Sequence, residues 1–268
     1  MDDPDLKLLA GIVVAILVGA AAWYYWDEIF APPAPETPVS LPMSEEPRAE
    51  SGPRYPMPEP TSEPLEGELV PLPALDDSDS YFLLEIGSAF GPAIESLLVR
   101  EGVIDRLVAS VDSLTRSELP ERIRPVGGLQ DAFEADSAAG ETIVLGISSF
   151  ARYDALVAQI YYADIDAVYD TYERFYPLFQ KAYERLGYPD AYFNDRLIEV
   201  IDHLLATPEP EGPIVLARPN VLYEFADPDL EALSSGQKLM LRMGPNNAAT
   251  LKRLLEKFRS RLTGDRPS

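Results

Sequence analysis

The chain has 268 residues, a formal net charge of −23 and no cysteine. Without a thiol there is no disulfide framework, no thiolate metal site and no cysteine nucleophile. The acidic excess covers both residues 1–75 and the remainder, so the surplus of Lys and Arg that neutralises phosphates is missing; this argues against nucleic acid and leaves basic proteins, cationic ligands or plain solubility as the meaning of the charge.

Residues 1–7 read as a short cytoplasmic terminus. Leu8 to Trp26 is an uninterrupted apolar run without a charge, and its helical length of about 28 Å suits a hydrocarbon core of about 30 Å, so one transmembrane helix is expected. Trp23, Tyr24, Tyr25 and Trp26 would form an aromatic belt at the boundary with water. The competing reading is a cleaved signal with Ala20, Ala21 and Ala22 at the cleavage site. Asp2, Asp3 and Asp5 stand against a lone Lys7 where such a signal is basic, which favours a retained signal anchor. No Lys or Arg follows Lys7 until Arg48, a bias toward the amino terminus inside and the body outside. Gly11, Ala15 and Gly19 share one face and fit close helix approach, hence self-association, although small residues are also common in spanning helices generally.

Residues 27–74 read as a disordered Pro/Glu-rich linker. Half of the 26 prolines fall between Pro32 and Pro73, and each fixes φ and removes a backbone donor. One mainly α-helical domain is expected over 75–262, with a short tail over 263–268. Asp79 or Ser80 caps a run carrying Phe82, Leu83, Ile86, Phe90, Ile94, Leu97 and Leu98 at helical spacing, which Gly91-Pro92 divides into two short helices, and another helix passes through Ile104, Leu107, Val108 and Val111. Leu119 to Pro125 should be extended. The segments around Phe133 and over Thr142 to Leu145 suggest a small β-hairpin, with Ile214 to Ala217 a short β-like run. Ser148 or Ser149 should cap a helix through Ile160. Asp164 opens a longer one to Gly187, bent at Pro177, and Asn194 should cap the next, Asp195 to Ala206. Asp227-Pro228 starts a helix expected to run to Gly244-Pro245, and Asn246 or Asn247 starts the last, which ends near Thr263-Gly264.

LVASVDSL at 107–114, FNDRLIEVIDHLL at 193–205, PEPEGPI at 208–214 and GQKLMLRMGP at 236–245 occur in that order. Together they resemble the bacterial family catalogued as domain of unknown function 3014. The resemblance implies the same layout of span, linker and one domain in a Gram-negative bacterium, hence an inner-membrane protein with its domain in the periplasm. It implies no activity, cofactor or site residue.

Three groups of residues invite a function. Asp195, Glu199, Asp202 and His203 share one helix, and carboxylates beside an imidazole suit metal binding or proton transfer. His203 is the only histidine, however, and an amphipathic face paired with arginines is the plainer account. Nine of the fourteen tyrosines lie between Tyr153 and Tyr192. Tyr172 and Tyr183 belong to the core by their spacing, while Tyr161, Tyr162, Tyr169, Tyr176, Tyr188 and Tyr192 are candidates for a binding face. Lys252, Arg253, Lys257, Arg259 and Arg261 form a basic strip that suits a helix carboxyl end, or a docking strip for the acidic linker or an anionic envelope polymer.

No phosphate loop, dinucleotide fingerprint or nucleophile elbow occurs, so no cofactor or metal is expected. The leading expectation is a binding or assembly (scaffold) module of the cell envelope, with other envelope proteins or cell-wall polymer as partners and no nucleic acid. The alternative is an envelope enzyme acting on a cell-wall substrate through carboxylates near Asp195 and Asp202.

Overall fold

The computed structural model describes residues 52–57, 71–90, 97–127, 133, 135–137, 142–162, 165–219 and 222–264. The expected span Leu8 to Trp26, with Gly11, Ala15 and Gly19, lies outside the described residues, as does most of the stretch 27–74 expected to be a linker. No helix among the described residues is long and apolar enough to cross a membrane.

The domain is mainly helical. Helix α1 (Asp79–Phe90) is followed by α2 (Val103–Ser113), which is buried along nearly its whole length through Val103, Ile104, Leu107, Val108 and Val111. Only Asp105 and Arg106 reach partway to solvent, and even Ser110 and Asp112 are buried, so α2 is central. Its first amides are satisfied from a distance. The Asp79 carboxylate accepts from Gly102 N (2.7 Å) and Val103 N (2.9 Å), so a residue expected to cap its own helix serves the next one. Gly102 itself sits at φ 63°, a left-handed conformation that glycine adopts without strain.

Helices α3 (Ile147–Tyr161), α4 (Ile165–Leu186) and α5 (Phe193–Leu205) follow, and α8 (Pro245–Thr263) ends the described chain. On α4 the stripe Val168, Tyr172, Phe175, Phe179, Ala182 and Tyr183 faces inward, and Pro177 lies within the helix without ending it. On α5 the buried stripe includes Phe193, Leu197, Val200, Ile201 and Leu204; on α8 it is Leu251, Leu254, Leu255, Phe258 and Leu262. Helices α4 and α5 pack on α2 and on α8, and α3 packs on α8, enclosing the main core. Aromatic edges lock it: Phe82 meets Phe175 edge-on at 5.0 Å, and Phe179 stacks on Phe193 at 5.8 Å.

The expected pairing is present with its first strand shifted: β1 is Asp136–Ser137, not the segment around Phe133, and it pairs antiparallel with β2 (Ile143–Leu145), Val144 opposite Asp136. Two further strands extend it. β3 (Ile214–Ala217) sets Val215 opposite Val144, and β4 (Glu224–Phe225) sets Phe225 opposite Leu216, giving the order β1-β2-β3-β4. This sheet covers a second small core of Leu145, Leu216, Phe225 and Leu241.

The helix expected from Pro228 to Gly244 is two. Asp227 accepts from Asp229 N (2.9 Å) to cap the single turn α6 (Pro228–Glu231), and the chain restarts at Ser234, whose side chain caps α7 (Ser235–Arg242). Tertiary bonding decides this. Ser235 N and Gly236 N donate to the carbonyls of Arg116 (2.7 Å) and Leu114 (2.9 Å), an approach only glycine allows, because a Cβ on Gly236 would lie 2.8 Å from the Leu114 carbonyl oxygen and 2.7 Å from Leu204 Cδ2. Helix α7 thereby lies between the two cores, with Leu239, Met240 and Met243 in the main one and Leu241 in the small one.

Three smaller expectations need correction. Helix α3 starts at Ile147 with Gly146 as its N-cap, and Ser148 instead donates to Asp136 beside the sheet. Glu121–Ile123 forms a single 3-10 turn inside the stretch expected to be extended. Asn194 is not the cap of α5, which begins at Phe193 after Tyr192, because its side chain is held for another purpose.

Candidate binding site

The corner between α4 and α5 is set by Gln180. Its Oε1 accepts from Phe193 N (2.8 Å) and its Nε2 donates to the Ala191 carbonyl (2.9 Å), supplying the acceptor that no N-cap side chain provides. Next in the chain, Asn194 is fully buried, and its Oδ1 accepts from the Tyr172 hydroxyl (3.2 Å), which fixes the amide and aims Nδ2 outward. Asp195 stands beside it on the first turn.

Residues 52–57, inside the stretch read as linker, are seated on this pair. Asn194 Nδ2 donates to the Tyr55 carbonyl (2.8 Å), while the Asp195 carboxylate accepts from Arg54 N (2.9 Å) and Tyr55 N (2.8 Å). Exposure alternates along the segment: Pro53, Tyr55 and Met57 are half-buried and Arg54 and Pro56 are exposed. Tyr55 and Met57 pack on the main core. Burial holds the Tyr172 phenol well above its ordinary pKa, and Asp195 pushes in the same direction. Burial likewise pushes Tyr176 up to about 12, with Asp195 again raising it and a bond to the Asn194 backbone opposing. Both phenols are therefore neutral donors beside the carboxylate.

The four residues that suggested metal or acid–base chemistry do not converge. Asp195 is engaged by the amides of Arg54 and Tyr55, Glu199 lies 3.4 Å from Arg196, Asp202 is forked by Arg259 from α8, and His203 Nε2 lies 2.7 Å from Ser234 Oγ at the cap of α7. Burial, followed by the Arg196 charge, lowers the His203 pKa and keeps the ring neutral. Among the described residues no group of three or more His, Asp or Glu side chains is arranged to hold a metal.

The tyrosines divide. Tyr161 and Tyr162 are 53% and 68% exposed, with rings edge to face at 5.4 Å. Tyr169 lies under the Arg261 guanidinium, Tyr176 donates to Gln180, Tyr188 stacks on Tyr183 at 4.6 Å, and Tyr192 is the half-buried N-cap of α5. The basic strip is largely matched by acids of the same domain: Lys252 bonds Glu209 and the Thr207 carbonyl, Arg259 bonds Asp202, and Arg261 bonds Asp166. Arg253 bonds Thr250 one turn back, and Lys257 is exposed.

Sequence reasoning missed two arrangements. One is the seated segment, whose only local signal is that Tyr55 is the sole aromatic between residues 31 and 74. The other joins α2 to α5. Asp112, 3% exposed, accepts from Arg196 Nε (2.9 Å), Arg116 Nη2 (2.6 Å) and the Tyr188 hydroxyl (3.3 Å), while Arg196 Nη2 also reaches Thr115 Oγ1 and the Asp112 carbonyl, both at 2.7 Å. Every charge there has a partner, which marks it as a joint between helices.

A family model described as "Protein of unknown function (DUF3014)" matches residues 103–259, from the start of α2 into α8. No curated protein and no solved structure matches the chain.

Proposed function

This chain belongs to the DUF3014 family, and from that premise we propose that it is an inner-membrane-anchored binding or assembly module of a Gram-negative envelope, with the helical domain held in the periplasm by the span at 8–26 and the linker. The observation that carries the reading is the dispersion of Asp195, Glu199, Asp202 and His203 onto four separate partners. An enzyme acting through them would need those groups turned toward one reacting atom. A binding module needs instead a stable body with accessible apolar and polar surface, for which the exposed Tyr161 and Tyr162 pair is suited.

The test is made in cells. A reporter active only in the periplasm is fused after Ser268, membranes are washed with alkaline carbonate, and a photo-crosslinker replaces Tyr161 or Tyr162. An active reporter, carbonate-resistant sedimentation and a discrete crosslinked protein are expected. A reporter active only in the cytoplasm, or a chain released by carbonate, overturns the location; absence of any specific crosslinked product overturns the assembly role.

A further inference from the structure

We propose that the start of α5 is a peptide-binding site and that residues 52–57 are its built-in ligand, a proline-flanked segment bent at Arg54 and Tyr55 that leaves and rebinds as a unit and whose place a free peptide of the same chemistry can take. The bonds that seat the segment go to its backbone: two consecutive amides to Asp195 and one carbonyl to Asn194. Consecutive amides of an extended strand point to opposite sides, so two of them on one carboxylate require the bend that the chain makes at Arg54 and Tyr55; as in other captured peptides, main-chain bonds supply the hold and side chains the choice. Pro53, Tyr55 and Met57 are half-buried, with Tyr55 and Met57 packed on the main core, whereas Arg54 and Pro56 are exposed.

The receiving side is assembled without the segment. Gln180 fixes the corner and Tyr172 fixes the Asn194 amide, so that a fully buried side chain aims a donor at the peptide carbonyl. Emptying the site would leave that donor to water or to nothing, so the site favours an occupant. On the peptide side, Pro53 and Pro56 bracket the two donor amides, limiting the freedom lost on seating. The ligand class is therefore a segment able to bend at two consecutive free amides, with proline before them, tyrosine at the second, and proline after it. Since the chain carries one copy covalently, a free peptide competes against a high local concentration, and the resting molecule is self-occluded. None of this depends on the envelope location, and its failure would leave that location standing.

The test uses the full chain in detergent micelles and a fluorescent peptide of residues 51–58. Replacing Arg54→Pro and Tyr55→Pro removes both donor amides and the tyrosine while keeping the linker length. The peptide should bind the doubly substituted chain about tenfold or more tightly than the unsubstituted one, and adding Asp195→Ala should remove that gain. No binding to the doubly substituted chain, equal binding to both chains, or indifference to Asp195→Ala overturns the proposal. Hydrogen exchange on the unsubstituted chain is a check independent of any variant: the amides of Arg54 and Tyr55 should exchange about tenfold or more slowly than in the free peptide, and unprotected amides overturn the proposal as well.

Discussion

Replacing Asp112→Ala tests the joint between α2 and α5. The carboxylate is 5% exposed, and the Arg196 side chain that it meets is 20% exposed. Removing one member of a buried pair strands the other, at about 3–5 kcal/mol. Arg196 would keep Thr115, the Asp112 main-chain carbonyl and a 3.4 Å contact with Glu199, so the loss should fall at the lower end, about 3 kcal/mol. Arg116 is 57% exposed and can turn into solvent, which limits its share to a few tenths of that figure. The assay is urea unfolding of the detergent-solubilised chain, followed by far-ultraviolet circular dichroism. With an m-value of about 3 kcal/mol/M for a domain of this size, the midpoint should fall by about 1 M. Asp202→Ala is the matched control, because that carboxylate is 47% exposed and its partner Arg259 31%, which corresponds to about 0.2–1 kcal/mol. Equal losses in the two variants would refute the reasoning that burial separates them.

Gly236→Ala should destabilise the domain by about 1–3 kcal/mol, because the new methyl must displace the Leu114 carbonyl or the Leu204 side chain; an unchanged urea midpoint would contradict the close approach. Asp79→Ala removes the acceptor for two amides at the start of α2 and should cost about 0.5–2 kcal/mol, with faster hydrogen exchange at Gly102 and Val103 as its signature. His203 has a folded pKa below its ordinary value of 6.5, so the unfolded chain binds its proton first as the pH drops. Its contribution is complete above about pH 6.5 and declines as the pH falls through the folded value, so His203→Gln should lose less stability than the parent between about pH 7.5 and about 5.5. Identical losses across that interval would contradict the assignment.

The helices were legible wherever one stripe of side chains repeats against one core. Tyr172, Phe175, Phe179 and Tyr183 on α4, and Leu197, Ile201 and Leu204 on α5, are buried as their spacing requires. Legibility failed where a distant partner decides the local outcome. The break between α6 and α7 depends on the carbonyls of Arg116 and Leu114, more than a hundred residues away. Ser234 has the residue type of a cap, but the restart of the helix there depends on those distant carbonyls. β4 is two residues long and exists because β3 offers it an edge. At the site, the sequence placed Asp195, Glu199 and Asp202 on one helix correctly, but helical spacing says nothing of the amides at Arg54 and Tyr55 or of Arg259 on α8. Asn194 illustrates the same limit: its residue type suits a cap, and its burial against Tyr172 gives it a different task.

On the proposed anchoring at 8–26, the seated segment would also limit how far the domain can lie from the membrane. Measured from Trp26, about 25 residues precede Gly52, whereas about 48 precede Leu75, so at an upper bound of about 3.5 Å per residue the maximum radius shrinks from about 170 Å to about 90 Å when Tyr55 is in place. Undocking six residues would nearly double that radius with no bond broken in the chain, and the volume within range grows with its cube. On that proposal, a short stretch of Pro-Arg-Tyr-Pro would set the slack between the membrane and the domain.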